Sequence, residues 1–230
     1  MQKILFDDKL NLTNLVYEGK KTQTRRQEMT LHNTMWRWRD CEPMMEDWNT
    51  TENGIHIYFS KRSRGISDMI VRPKYKLGEE VAIGASYRSI LGTLNSLNGK
   101  NGGPTEAQYR QYAKNIYGAD SLESQKGFGN KLFIKPELMI STATITGVRF
   151  EQFEDISEED AIKEGIHLFP NNLYGYDKLG TEGIAIYETA SDAFKGLLKN
   201  ELKIQDMTFW CVVYDFELHA YSLFDDIKCD

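Results

Sequence analysis

Apolar residues recur along this chain with two periods, and each period marks a different kind of element. Leu12, Leu15 and Val16 fall at helical spacing and stop at Gly19, which predicts a short helix closed by a left-handed glycine. Beyond Gly19, Thr22 and Thr24 alternate with Lys21, Gln23 and Arg25, a period of two that predicts an extended segment. Residues 55–60 and 67–72 flank the polar turn KRSRGI as a predicted hairpin, and Lys76-Leu77-Gly78-Glu79-Glu80 turns into a short strand over 81–83. Four Gly, three Asn and a Pro between 91 and 104 predict a loop. Thr105 then caps a helix that carries Tyr109, Tyr112, Ala113 and Ile116 on one face and ends at Gly118.

Residues 131–135 and 139–153, rich in Ile, Thr, Val and Phe, read as strands. Ser157 opens the helix SEEDAIKEG, with Glu158, Glu159 and Asp160 in its positively polarised first turn and Gly165 just past its end. Ser191 opens another, carrying Phe194, Leu197, Leu198 and Leu202. The last strand, 208–217, is apolar on both faces over 209–214, as a central or barrel-closing strand is. Helices and strands do not alternate as βαβ units. The pattern predicts an α+β fold, a small curved β-barrel with peripheral helices, in one domain with insertions at about 27–54 and 91–130.

Composition narrows the class. The 230 residues are 40% hydrophobic and 27% charged, a globular balance. The longest apolar run is six residues and acids sit where a signal peptide needs apolar ones, so no membrane segment is expected. Cys41, Cys211 and Cys229 form no short-spaced pair, and His32, His56, His167 and His219 lack metal-ligand spacing. The expectation is a reducing cytoplasm, no metal and no cofactor. Walker, GxGxxG, GxSxG, HExxH and CxxC motifs do not occur.

A net charge of −6 opposes a protein held to nucleic acid mainly by phosphate contacts. The charge is unevenly spread: residues 1–80 carry +2 and residues 81–230 carry −8. Residues 20–39 hold Lys20, Lys21, Arg25, Arg26, Arg37 and Arg39 against Glu28 alone, a patch of +5 that suits an anionic or nucleotide-like ligand. Within it, Trp36 and Trp38 alternate with Arg37 and Arg39, the mixture a base-stacking platform uses. The structural alternative is that both rings pin an insertion to the barrel while the arginines pair with Asp40, Glu42 or Glu46.

The phrase GKKTQTRR makes the chemistry more specific. Gly19, Lys21, Thr24 and Arg26 resemble the G-x-K-x-x-T-x-R signature of the ASCH domain, a family of PUA-like β-barrels. Residues 153–166 are similar to the helix ending in Glu-Gly-Ile of phage-associated members, FWCVVYDFEL to the family's last strand, and KYKLGEE to its glycine turn. The resemblance spans about half the chain. It departs at Val81-Ala82-Ile83-Gly84-Ala85, where the phage branch commonly has Leu-Trp-Val-Arg-Glu.

That resemblance implies a module binding RNA, a nucleotide or a modified base at Gly19, Lys21, Thr24 and Arg26, with Arg25, Trp36, Arg37, Trp38 and Arg39 nearby. One branch of the family removes the acyl group of N4-acetylcytidine, and its Lys, Thr and Glu fall on Lys21, Thr24 and Glu164. In that chemistry a lysine of lowered pKa takes the proton of an attacking hydroxyl and an acid protonates the leaving amine. A third reading is a prophage accessory protein acting through protein contacts. Two geometric expectations follow: the basic side chains border one concave cleft, and Glu164 approaches Lys21 and Thr24. A regular strand puts residues 21 and 24 on opposite faces, so the second expectation requires a bulge or a tight turn.

Overall fold

The computed structural model describes residues 1–26, 41–44, 50–51, 54–55, 58–61, 73–97, 104–118, 121–180, 185–205, 207–208 and 210–220. The chain divides into two compact units interleaved in sequence, where one domain with insertions is expected: residues 1–19, 80–144 and 217–230 in the first, 20–79 and 145–216 in the second.

In the first unit, β1 (Gln2–Leu5) runs parallel to β7 (Glu80–Gly84), with Gln2 opposite Val81 and Leu5 opposite Gly84. The start of β8 (Ser141–Gln152) pairs antiparallel with β7, Ala82 opposite Thr142. Helix α1 (Leu12–Tyr17) follows β1 and buries Leu15 and Val16, as its spacing predicts. The expected loop at 91–104 is in part helix: α2 spans Tyr87–Leu97. Its Ile90, Leu91 and Leu94 are buried, and the gain from that apolar face outweighs the weak helix propensity of its Gly and Asn. Helix α3 (Glu106–Tyr117) starts at a reciprocal capping box between Thr105 and Gln108 and stops at Gly118, whose φ of 60° a side chain would resist. Residues 91–130, expected as an insertion, supply Leu91, Leu94, Tyr109, Ala113 and Leu122 to one core with Ala82, Tyr87, Leu138 and Met139. The expected strand at 131–135 is instead a 3₁₀ turn, Lys131–Phe133, with Leu132 and Phe133 exposed. Pro136 in the next turn removes a donor that a ladder needs.

The second unit holds β2 (Gln23–Arg26), the remainder of β8 and residues 210–216 of β12 (Trp210–Ala220). Here β12 lies between β8 and β2 and pairs antiparallel with β2, so that Gln23 faces Asp215, Thr24 faces Tyr214, Arg25 faces Val213 and Arg26 faces Val212. Strands β3 (Cys41–Met44) and β6 (Tyr58–Lys61) form a separate ladder, as do β4 (Thr50–Thr51) and β5 (Gly54–Ile55). The hairpin expected between 55–60 and 67–72 lies in part outside the described residues, and β6 takes β3 as its partner. Helix α4 (Glu158–Lys163) is capped by Ser157, whose hydroxyl accepts from the Asp160 N–H. Helix α5 (Ala190–Asn200) begins earlier than its sequence suggests, because Thr189 caps it by accepting from Asp192 N–H. Glu158 ties the two helices: its carboxylate accepts the backbone N–H groups of Ala190 and Ser191 at 2.7 and 3.1 Å. A small antiparallel sheet of β9 (His167–Leu168), β10 (Tyr174–Gly175) and β11 (Ile186–Tyr187) completes the unit.

Strands β1, β7, β8, β12 and β2, in that order, make one mixed sheet. The α+β class is therefore observed. Among the described residues this sheet is open rather than a closed barrel, because β1 and β2 are its outer strands and neither pairs with the other. Among the described residues no helix is long and apolar enough to cross a membrane.

Candidate functional site

The signature segment is held at both ends before any side chain acts. Gly19, at φ 68°, ends α1 and redirects the chain. Thr22 then donates its N–H to Lys163 O of α4 and accepts from Phe216 N–H of β12, at 3.0 and 2.9 Å. Its ladder with β12 runs from residue 22 to residue 26 without a bulge. Strict alternation therefore places Gln23 and Arg25 on one face of β2 and Thr24 and Arg26 on the other.

On the first face the second unit buries an ionic cluster. Lys21 is 2% exposed, and its Nζ donates to Glu164 Oε2 at 2.6 Å and to the Glu164 carbonyl at 2.7 Å. Glu164 is the C-cap residue of α4 and is itself buried. Arg25 Nη1 donates to the other oxygen of the same carboxylate at 3.3 Å and to Gln23 Oε1. Its Nη2 reaches Glu151 of β8 at 2.5 Å and Asp160 of α4 at 3.3 Å, and its guanidinium lies 5.8 Å from the centre of the Phe194 ring of α5. Arg149 of β8 binds Glu151 Oε1, Asp160 Oδ2 and Asp215 Oδ2 at 2.5, 2.7 and 2.5 Å. Gln23 Nε2 donates to Asp160 and Asp215 at 3.1 and 2.6 Å. A side chain at 147 would crowd this packing, since a Cβ there would meet Asp215 Oδ2 at 2.6 Å; Gly147 leaves the space.

Burial sets the electrostatics. It pushes the Lys21 ammonium below its ordinary pKa; Glu164 opposes that shift, while Arg26 and Arg25 add to it. Burial also works against charge on Arg25, but Glu164 and Glu151 outweigh it and hold the guanidinium above its ordinary value. For Asp160 burial favours the acid form, yet Gln23, Arg149 and Arg25 prevail and lower its pKa. Burial raises the Cys211 thiol, which donates to Glu151 O at 3.3 Å and is inert as a nucleophile in that state.

Two of the residues drawn from the sequence thus meet across 143 positions: Lys21 and Glu164. Thr24 does not share their face of β2. It lies on the side where Tyr214 accepts from the N–H of Lys74 at 2.9 Å and stacks edge-on against Tyr75. The expected positive cleft is corrected in one respect. Lys21 and Arg25 are buried against carboxylates rather than presented to a ligand, because three cations there meet the four anions Glu151, Asp160, Glu164 and Asp215. Arg26 is half-buried on the face of Thr24. Trp36, Arg37, Trp38 and Arg39 lie outside the described residues.

The sequence reading missed Gln23, Arg149, Glu151, Asp160 and Asp215 as members of this cluster. For three of them, and for Arg25, the signal was present as polar residues at alternate strand positions, 23 and 25, 149 and 151. Among the described residues no group of His, Cys, Asp and Glu is placed to hold a metal ion. Comparison with protein-family models, with curated proteins and with solved structures gives no match.

Proposed function

We propose that this chain is an ASCH-type, PUA-like module that recognises a modified nucleoside and hydrolyses its exocyclic amide, with an N4-acylated cytidine as the substrate type. One observation carries the reading: Lys21 of the signature and Glu164 of the downstream helix, the two segments on which the resemblance rests, form a buried pair at 2.6 Å. A neutral nucleoside also suits the site better than a polyanion does, since the cations Lys21 and Arg25 are already matched by carboxylates.

The pair supplies both proton functions of an amide hydrolysis. Moving one proton from Nζ to Oε2 turns the resting ion pair into a free amine and a carboxylic acid, and the lowered pKa of Lys21 favours that transfer. Water attacks the acyl carbon and gives its proton to Nζ. The carbon–nitrogen bond breaks as the Glu164 acid protonates the departing amine. Carboxylic acid and free nucleoside leave, and the ammonium and carboxylate are restored. Water is the nucleophile in this geometry because Thr24 lies on the other face of β2.

A second reading has its own support. Lys21 and Glu164 are 2% and 5% exposed at the side chain, as charges that tie a helix to a sheet are. On that reading the module binds RNA or a nucleotide without turning it over. Incubation of wild type and Thr24→Ala with N4-acetylcytidine separates the two, beside a polynucleotide titration at rising salt. The hydrolase reading expects cytidine from both proteins and no salt-sensitive polynucleotide affinity. Salt-sensitive affinity without turnover would replace it by the binding reading.

A further inference from the structure

Arg25 is not part of the signature spacing, and its place in the structure is not that of a ligand contact. Its side chain is 1% exposed, and its guanidinium joins four elements: β2, which carries it; α4, through Glu164 and Asp160; β8, through Glu151; and α5, through the Phe194 ring. Arginine is suited to this position because its rigid fork can address two carboxylates at once, which the single point charge of lysine cannot do. The two oxygens of Glu164 are divided between two cations, Oε2 to Lys21 and Oε1 to Arg25. Glu164 caps α4 with its own N–H donating to Asp160 O at 2.9 Å, and these two donors orient its carboxylate.

We infer that Arg25 is a positioning residue for the Lys21–Glu164 pair: anchored on Glu151 and Asp160, it fixes the carboxylate so that Oε2 faces the ammonium. This inference rests on the hydrolase reading for its kinetic consequence and on geometry alone for its structural one. Among the described residues, Arg25 and Arg26 approach Lys21 from β2 and Glu164 from α4; Asp160 of α4, Cys211 of β12 and Glu151 of β8 face Arg25. The two arginines oppose a charge on Lys21, and Glu164 favours it. Removing Arg25 deletes one opposing charge and releases Glu164 wholly to Lys21. Both changes move the lysine titration in the same direction, upward.

The test uses the full chain as Arg25→Gln and Arg25→Lys, with the fold of each checked by its amide correlation spectrum. Lys21 is titrated through the Cε resonance of ¹³C-labelled lysine, assigned by comparison with Lys21→Met, and kcat and KM are measured on N4-acetylcytidine. The expected result is a Lys21 midpoint that rises in Arg25→Gln and by less in Arg25→Lys. With it comes a kcat about 10- to 100-fold lower in Arg25→Gln, the order expected when a catalytic group is misplaced by about 1 Å, and little change in KM. Since the lost charge alone raises the Lys21 midpoint in Arg25→Gln, a merely structural arginine is recognised in Arg25→Lys, which keeps the charge: it would lower the unfolding midpoint and leave both the Lys21 titration and kcat at their wild-type values. Should Arg25→Gln fail to fold, Arg25→Lys, which keeps the charge, decides. A Lys21 midpoint and a kcat equal to wild type in folded Arg25→Lys overturn the inference. If wild type releases no cytidine, the hydrolase reading fails alone, and the lysine titration still decides the role of Arg25.

Discussion

Glu164→Gln should destabilise the protein far more than its small change in shape suggests. The substitution keeps volume and removes charge, leaving the buried ammonium of Lys21 facing an amide oxygen and the Glu164 carbonyl 2.7 Å away. Breaking one side of a buried ion pair costs about 3–5 kcal/mol, and the surviving acceptors place this case near the lower figure, about 3 kcal/mol. Lys21→Met should cost less, about 1–3 kcal/mol, because Arg25 still donates to Glu164 at 3.3 Å. In Lys21→Met/Glu164→Gln the stranded ammonium is gone, and Arg25 keeps Glu151 and Asp160. The double variant should therefore be no less stable than Glu164→Gln alone, with a coupling of about 2 kcal/mol.

Urea unfolding at neutral pH followed by circular dichroism measures all four proteins. A loss of about 3 kcal/mol moves the midpoint by about 1 M or more. The sign with pH is also fixed. Lys21 has a lowered pKa in the folded state, so above that pKa and below its unfolded value the unfolded chain binds more protons, and folding is favoured as pH rises. The deficit of Glu164→Gln should shrink through that window as the stranded ammonium gives up its proton. Costs that simply add, or a deficit that does not change with pH, would refute the claim that the pair is buried and coupled.

Three further outcomes follow from the same cluster and its supports. Asp160 has a lowered pKa, so its contribution is fully present above its unfolded value and is lost as pH falls through the folded one; the urea midpoint of Asp160→Asn should fall less than that of wild type as pH is lowered through that range. Ser157→Ala, which deletes the cap of α4, should cost about 1 kcal/mol in urea, and restoring the cap with Asp should recover most of it. Gly147→Ala should cost about 1–3 kcal/mol by driving a methyl group into the Asp215 carboxylate that Gln23 and Arg149 hold.

Local signals in the sequence were legible where one element decides its own conformation. The helix stopped by Gly19, the Thr105 and Ser157 caps and the long strands β8 and β12 all follow from spacing and end residues. Helix α2 was hidden because its Gly and Asn carry turn signals, while the face that makes it a helix is recognised only with the core it fills. Neither period nor spacing joins Lys21 to Glu164; the family resemblance suggested that approach. The ionic cluster was least legible of all, since its members lie on β2, β8, α4 and β12, and a charge at a strand position looks the same in sequence whether it faces solvent or a helix. Thr24 shows the reverse case: the alternation that made β2 readable already placed it on the face away from Lys21, and the unbroken ladder keeps it there.

The central claim is that the buried Lys21–Glu164 pair performs amide hydrolysis on a nucleoside. The most direct measurement is the initial rate of cytidine release from N4-acetylcytidine by wild type, Lys21→Met and Glu164→Gln, each confirmed folded, with the product separated by chromatography. Release by wild type that falls by about 10²- to 10⁴-fold in each variant is the expected result, the order a positioned acid or base contributes. No release by wild type, or equal release by all three, would contradict it.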